Sequence, residues 1–193
     1  MPRLSKALIT IILFAISHIS FASRPRDSNL RIFGDYMQTI NPIIAAGLSS
    51  QEKGFGHFAF IYAQDFVTMH GIKFISDKTK MPFSKRPHIQ DKRDRYDGMP
   101  SGHTNSAWIA ASYLRTFSQD YKYLSIPLYL TASITGYSRI YSKEHTTTQV
   151  IAGAILAEMF TYFNSKMNWS NEYQYTSFYF SKEESFVSFE FRF

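Results

Sequence analysis

Residues 100–117 read PSGHTNSAWIAASYLRTF, and they predict a helix whose N-terminus binds an anion. Pro100 and Ser101 are residue types that favour a helix start, and apolar residues follow at helical spacing. Ser101 and His103 therefore lie at the N-terminus of this helix. The free backbone N–H groups and the dipole of a helix favour a negatively charged ligand at that end.

A second helix is predicted over residues 146–163, directly after His145. Gln149 follows His145 by four residues, so the two side chains lie on the same face and within reach of each other. The side-chain carbonyl of Gln149 could accept the imidazole N–H and leave the other ring nitrogen free to attack.

Arginines and histidines accompany both stretches and predict phosphate chemistry. Arg86 precedes Pro87, and Arg139 follows Ser138. A planar guanidinium stays charged and donates paired hydrogen bonds to phosphate oxygens, which carry the charge of a phosphoryl transfer. An unperturbed histidine titrates near pH ~6.5, so one imidazole can attack while neutral and another can protonate the leaving oxygen.

These motifs resemble those of the type 2 phosphatidic acid phosphatases, a superfamily shared with vanadium haloperoxidases and bacterial class A acid phosphatases. PSGH is intact from Pro100, and SRIYSKEH ends at His145 with the family's spacing. The resemblance covers roughly residues 70–160. It implies that His145 is the nucleophile that becomes phosphohistidine and that His103 is the acid that serves the leaving group. It also implies a phosphate pocket with these lining residues: Arg86, Arg139, Ser101 and Gly102.

Two positions depart from the family pattern. Thr79 stands where the family has a lysine, between Lys78 and Lys80, and Lys80 is expected to serve the pocket because it lies nearer to Arg86. Gln149 stands where the common pattern has aspartate. Related members also carry glutamine there, so this departure does not imply an inactive enzyme.

The predicted fold is mainly α, a compact helical bundle of the phosphatidic acid phosphatase and haloperoxidase type with a short C-terminal β-hairpin. Helices are expected over residues 35–48, 55–75, 102–117, 123–137 and 146–163. The phosphatase domain is expected to cover residues 30–168. The aromatic-rich tail 169–193 has an alternating segment from Val187 to Phe193 after the charged run 182–184, a pattern typical of a hairpin.

The N-terminal 22 residues predict an exported protein. Arg3 and Lys6 precede an apolar run that ends at Ser20-Phe21-Ala22, which is the pattern of a signal peptide. Retention of this segment as an N-terminal anchor is the alternative. Both interpretations place the protein in a bacterial cell envelope, in the periplasm or on the periplasmic face of the inner membrane.

Composition narrows the partners. The chain has 193 residues, a formal charge of +6 and no cysteine, which excludes disulfides and thiolate metal sites. Positive charge concentrates between Lys73 and Arg95, and such a patch favours phosphorylated ligands or lipid headgroups. No nucleic-acid motif accompanies it, no carboxylate–histidine spacing predicts a metal site, and no cofactor is expected. The oligomeric state is left open.

The predicted function is metal-independent hydrolysis of a phosphate from a bacterial envelope lipid. Lipid A is the favoured substrate, because a small, exported and basic chain resembles bacterial lipid A phosphatases of this family. Undecaprenyl diphosphate or another lipid phosphate is the alternative. Candidates of another class are a vanadate-dependent haloperoxidase and a non-catalytic envelope-binding protein.

Overall fold

The computed structural model describes residues 29–87 and 94–167, together with the backbone of residues 177–180 and 185–188. The predicted signal segment 1–22 lies outside the described residues. Within them the helices are α1 Asn29–Ser49, α2 Phe55–Thr79, α3 Gly102–Phe117, α4 Ser125–Tyr141 and α5 Thr147–Lys166. Short 3-10 turns occupy Pro82–Ser84 and Lys122–Leu124.

Helix α3 is the centre of the bundle. The other four helices surround it in the order α1, α2, α5, α4, and each contacts the next. Small side chains on α3, among them Ala107, Ala110 and Ala111, are completely buried and let α1, α4 and α5 approach closely. Larger side chains such as Leu114 and Leu128 fill the remaining core. Burying each of these contributes about 1.5–3 kcal/mol to stability.

Helix α5 approaches the beginning of α3 so closely that only glycine fits between them. A Cβ at Gly153 would lie 2.6 Å from the carbonyl oxygen of Ser101 and 3.3 Å from the backbone nitrogen of Asn105. The Ser101 N–H also donates to the carbonyl of Gln149 at 2.9 Å. The N-terminus of α3 is therefore fixed against the first turns of α5.

The predicted helices all form, with differences at their ends. Helix α3 has the predicted bounds, whereas α1 begins earlier than predicted and contains Pro42. Helix α2 continues to Thr79 rather than ending at residue 75. Helix α4 continues to Tyr141 rather than ending at residue 137, so Arg139 lies within a helix, where its side chain is completely buried. The extension of α4 thus places Arg139 on a rigid element.

The described part is mainly helical, and two short strands lie in the C-terminal tail. Strand β1, Ser177–Phe180, pairs antiparallel with β2, Ser185–Ser188, and Phe180 lies opposite Ser185. Residues 181–184 and the flanking positions lie outside the described residues. The hairpin tail over residues 169–193 as a unit stays a prediction.

The outer helix faces are unusually apolar. No described helix is both long enough and apolar enough to cross a bilayer. Large apolar side chains are nevertheless exposed on several helices, among them Ile43 of α1, Phe60, Val67 and Phe74 of α2, Ile126 and Leu130 of α4, and Ile151, Ile155 and Met159 of α5. Extended apolar surface of this kind is typical of proteins that meet lipid or another protein.

Candidate active site

A cavity of about 790 Å³ lies between helices α1 and α2 and reaches the N-terminus of α3. Its polar end is lined by Lys73, Arg86, Asp97, Gly102, His103 and His145. The structure thus brings together residues from α2, the loop before α3, α3 itself and the segment before α5. Both histidines predicted from the sequence face the same space.

The first turn of α3 presents its backbone to this space. Ser101 is the N-cap residue, and its side chain makes no capping hydrogen bond but accepts one from the Thr104 hydroxyl at 3.1 Å. Ser101 is completely buried and lies outside the cavity lining, whereas Gly102 lines the cavity. Helix α2 passes alongside, because a Cβ at Gly102 would lie 3.5 Å from Sδ of Met69 and 3.8 Å from Cε of Lys73.

Gln149 holds the ring of His145 in one orientation. Its amide nitrogen donates to the carbonyls of Phe83 at 3.3 Å and Lys85 at 2.9 Å, which fixes the amide oxygen on the opposite side. That oxygen lies 3.1 Å from Nδ1 of His145 and also accepts the Thr146 N–H at 3.2 Å. Since an amide oxygen only accepts, Nδ1 carries the ring proton, and Nε2 is the unprotonated nitrogen of the neutral ring.

Two features of the surroundings keep His145 neutral. The residue is buried, and burial together with the charges of Arg86 and Lys73 lowers its pKa to about 3, although hydrogen bonds to Gln149 and the Gly98 backbone act in the opposite direction. The imidazole is therefore available as a nucleophile at neutral pH.

Glycine is required at position 98, since a Cβ there would lie 2.7 Å from both amide atoms of Gln149.

His103 pairs with a carboxylate from helix α1. Its Nε2 lies 3.1 Å from Oδ1 of Asp35. Burial and the charge of Arg139 lower the pKa of His103 to about 4, while Asp35 and Glu144 act to raise it. A phosphate dianion bound beside this ring would oppose that decrease, raise the pKa of His103 and favour the protonated form that an acid needs.

Arg139 is placed beneath the cavity, which differs from its expected role as a phosphate ligand. Its side chain is completely buried and is not part of the cavity lining. Nη1 donates to Asp35 at 2.7 Å and to Glu144 at 3.0 Å, Nη2 donates to the Arg31 carbonyl at 2.6 Å, and Nε donates to Ser138 at 3.0 Å. These partners occupy most of the N–H groups of Arg139. The hydrogen bond from Nη1 holds Asp35 against His103.

The lysine of the cavity is Lys73, and Lys80 does not reach it. Lys80 is the exposed C-cap of helix α2, with a left-handed backbone (φ 52°), and Lys78 is exposed beside Phe74. Lys73 lines the cavity and donates to the Asp97 carbonyl at 2.7 Å. Burial, followed by the charge of Arg86, lowers the pKa of Lys73 to about 8. The helix continues past residue 73, so its periodicity, and not distance along the chain from Arg86, decides which lysine faces inward.

Arg86 lines the cavity, and Asp97 orients it. Nε and Nη2 of Arg86 lie 2.8 and 3.2 Å from the two oxygens of Asp97, and Nη2 of Arg95 lies 2.7 Å from the second oxygen. Although burial opposes it, pairing with Arg86 and then Arg95 lowers the pKa of Asp97 to about 2. One carboxylate therefore aligns the guanidinium while part of its fork still faces the cavity.

Sequence reasoning missed Lys73, Asp35 and Asp97. Lys73 carried a usable signal, because it occurs among apolar residues on the face of α2 that also bears Met69. Asp35 is separated from His103 by 68 positions, and no local motif links the two. Within residues 29–87 and 94–167, no cluster of His, Asp or Glu has the arrangement of a metal site.

Comparison with known proteins gives three matches. The model of the PAP2 superfamily matches residues 55–173. The lipid A 4'-phosphatase of Helicobacter pylori strain J99 is 34% identical over 89 residues, which are 45% of this chain and 40% of that protein. The chain thus spans less than half the length of this relative. The crystal structure of a transmembrane PAP2-type phosphatidylglycerolphosphate phosphatase from Bacillus subtilis superimposes with a TM-score of 0.49 at 16% identity, over 86% of each chain.

Proposed function

The chain belongs to the PAP2 superfamily, and on that premise we propose that it is a metal-independent phosphatase acting on a phosphorylated lipid of the bacterial envelope. The observation that carries the proposal is the presence of two histidines with different hydrogen-bond partners on one cavity that also carries Lys73 and Arg86. His145 has a fixed Nδ1 proton, and His103 has a carboxylate partner.

In the first step, Nε2 of His145 attacks the phosphorus of a phosphate monoester. An N–P bond forms as the P–O bond to the lipid breaks, and His103 donates its proton to the leaving oxygen. The charge on the phosphoryl oxygens is stabilised by Lys73, Arg86 and the backbone N–H groups at the start of α3. Positive charge supplied by side chains and a helix N-terminus serves where many phosphatases use a metal ion.

In the second step, His103, now neutral, accepts a proton from a water molecule that attacks the phosphohistidine. The N–P bond breaks, inorganic phosphate leaves and His145 returns to its neutral form. The two steps divide one difficult displacement into two easier ones. Gln149 keeps the nucleophile aligned in both, and Asp35, held by Arg139, orients the acid.

Lipid A is the substrate that we favour. The Helicobacter pylori relative is a lipid A 4'-phosphatase. The matched region covers 40% of that protein. The cationic end of the cavity and the basic stretch from Lys73 to Arg95 suit a phosphorylated headgroup. Undecaprenyl diphosphate is the competing lipid.

We further propose that residues 1–22 direct export and that the enzyme works in the periplasm or on the periplasmic face of the inner membrane. The exposed apolar faces of α2, α4 and α5 support contact with a membrane surface. The tail 169–193 is proposed to form a β-hairpin, which is consistent with the pairing of its two strands.

The experiment that tests this function measures phosphate release by the purified protein from lipid A and, separately, from undecaprenyl diphosphate, with His145→Ala as the matched control. Mass spectrometry of lipid A from cells with and without the gene accompanies it. Release from lipid A and dephosphorylated lipid A only in cells with the gene would support the proposal. Release of phosphate from undecaprenyl diphosphate alone would mean that this lipid, and not lipid A, is the substrate. Release from neither lipid would contradict the proposal.

A further inference from the structure

The cavity continues away from the histidines as an apolar groove. Its wall on α2 carries Phe55, Phe58, Ala59, Tyr62, Phe66 and Met69, and its wall on α1 carries Pro42, Ile43 and Ala46. We call this set of residues the tail groove. From Phe55 to Lys73 the helix rises by about 27 Å at roughly 1.5 Å per residue, so the groove is long as well as apolar.

The polar atoms in the middle of this wall are already paired within the protein. The Tyr62 hydroxyl lies 2.6 Å from the Ser106 hydroxyl, and Ser106 donates to the carbonyl of Gln38 at 2.8 Å. On the α2 wall a ligand thus meets carbon and one satisfied hydroxyl, whereas the polar side chains Gln38 and Thr39 line the cavity from α1. A polypeptide segment would bring backbone N–H and C=O groups that need partners, and this wall does not supply them.

Charged side chains line only one end of the cavity, which suits an amphiphilic ligand with an anionic head. The charged residues of the lining are Lys73, Arg86, Asp77 and Asp97, of which Asp97 pairs with Arg86, and among the described residues none of them belongs to the tail groove. Ile43, Phe55 and Phe66 at its edge are exposed, so the groove is open along its side and a chain can enter laterally rather than by threading.

Resting on the proposed function, we propose that the tail groove binds one hydrocarbon chain of the substrate while the phosphate lies at His145. Each methylene that leaves water for an apolar wall strengthens binding, so affinity should rise with chain length. The enzyme therefore selects phosphate esters that carry a long hydrocarbon chain, by contacts separate from those that act on the phosphate.

Alkylphosphonates, which cannot be hydrolysed, test this independently of turnover. Affinities of methylphosphonate, octylphosphonate and dodecylphosphonate, kept below their micelle concentrations, are compared by calorimetry for the wild type, Ala59→Trp and Ala63→Trp. Ala59 lines the tail groove, and an indole there would fill it. Ala63 lies one turn further along the same helix, is exposed and is not part of the lining, so it is the matched control.

We expect dodecylphosphonate to bind at least about 100-fold more tightly than methylphosphonate to the wild type and to Ala63→Trp, as burial of several methylenes requires. In Ala59→Trp this dependence on chain length should be reduced by about tenfold or more. A dodecylphosphonate with a diazirine at the chain end should cross-link to helices α1 and α2. Equal affinity for all chain lengths in the wild type, or cross-links outside these helices, would overturn the inference and favour another occupant such as a second copy of the chain.

The outcome is separable from that of the proposed function. Chain-length dependence together with no hydrolysis of any phosphate ester would keep the tail groove and refute the phosphatase. Hydrolysis of p-nitrophenyl phosphate without chain-length dependence would keep the phosphatase and refute the groove.

Discussion

Nδ1 of His145 lies 3.1 Å from the amide oxygen of Gln149, and the amide nitrogen of the same side chain is held by two backbone carbonyls. A neutral amide therefore fixes the ring where a carboxylate stands in the common family pattern. The ring keeps its orientation without a negative charge that would favour its protonated form.

Replacement of Gln149 by glutamate should move the acidic limb of the rate profile to higher pH. The added charge raises the pKa of His145, and the nucleophile must be neutral to attack, so activity is lost sooner as the pH falls. Gln149→Met should lower the rate without this upward shift, because orientation is lost but no charge is added. Profiles of kcat/KM against pH for both variants provide the measurement. An unchanged rate and profile in both would show that Gln149 does not act on the nucleophile.

Lys73→Met should lower kcat/KM by about 100-fold, a loss typical of removing one donor to a developing oxyanion. Lys78→Met and Lys80→Met are the matched controls, because both lysines are exposed and outside the cavity lining. Steady-state kinetics with a soluble phosphate ester compare the three. A large loss in Lys80→Met with little change in Lys73→Met would restore the assignment expected from the sequence.

Asp35→Asn should reduce kcat/KM, which reports phosphorylation of the enzyme and not the later hydrolysis of the phosphoenzyme, according to the leaving group. Loss of the carboxylate lowers the proton affinity of His103, so esters of ordinary alcohols should slow by on the order of 100-fold. The p-nitrophenyl ester should slow much less, because its leaving group needs no proton. His103→Ala should show the same selectivity. An equal loss for both kinds of ester would mean that Asp35 acts on the fold rather than through His103.

Activity should persist in the presence of a chelator, and orthovanadate should inhibit in competition with substrate. The motive is that Lys73, Arg86 and the N-terminus of α3 supply the positive charge that the phosphoryl group requires. Turnover with and without EDTA, followed by readdition of magnesium, decides the point. Loss in EDTA that magnesium reverses would refute this model of the site.

Asp65→Asn should stabilise the protein at neutral pH. The carboxyl is buried and accepts from Asn105 at 2.9 Å, and burial raises its pKa from 3.8 to about 6. Since the folded-state pKa exceeds the unfolded one, the charged form destabilises the fold as pH rises through this window. The free energy of unfolding should increase by about 2 to 3 kcal/mol at pH 7 and change little at pH 4. Urea denaturation at both pH values measures it, and an equal change at both would contradict the assigned cause.

The helices and the contact of Gln149 with His145 could be predicted because they depend on residues within one turn of each other. The capping residue Thr146, the spacing of apolar residues in α3 and the four-residue step to Gln149 are all visible in a linear sequence. The ends of the helices differ from the prediction, since extensions such as that of α4 depend on burial against neighbouring helices.

The rest of the site depends on contacts between distant parts of the chain. The family resemblance implies that Arg139 binds phosphate, but its hydrogen bond to Asp35 spans 104 positions and commits the guanidinium to a partly exposed carboxylate. The short distance along the chain to Arg86 favours Lys80 as the lysine of the pocket. The helical face of α2 instead directs Lys73 into the cavity. Such pairings become visible only when the helices are packed.

The proposed mechanism depends on a covalent bond between Nε2 of His145 and phosphorus. The most direct test of this bond is rapid quenching in alkaline denaturant, which preserves the acid-labile phosphohistidine, during turnover of p-nitrophenyl phosphate labelled with radioactive phosphorus. The wild type, His103→Ala and His145→Ala are compared, and the modified peptide is mapped by mass spectrometry under non-acidic conditions. We expect phosphohistidine at His145, more of it in His103→Ala because hydrolysis of the intermediate is slowed, and none in His145→Ala. Label on His103, or turnover by the wild type with no phosphoenzyme at any time point, would contradict this mechanism.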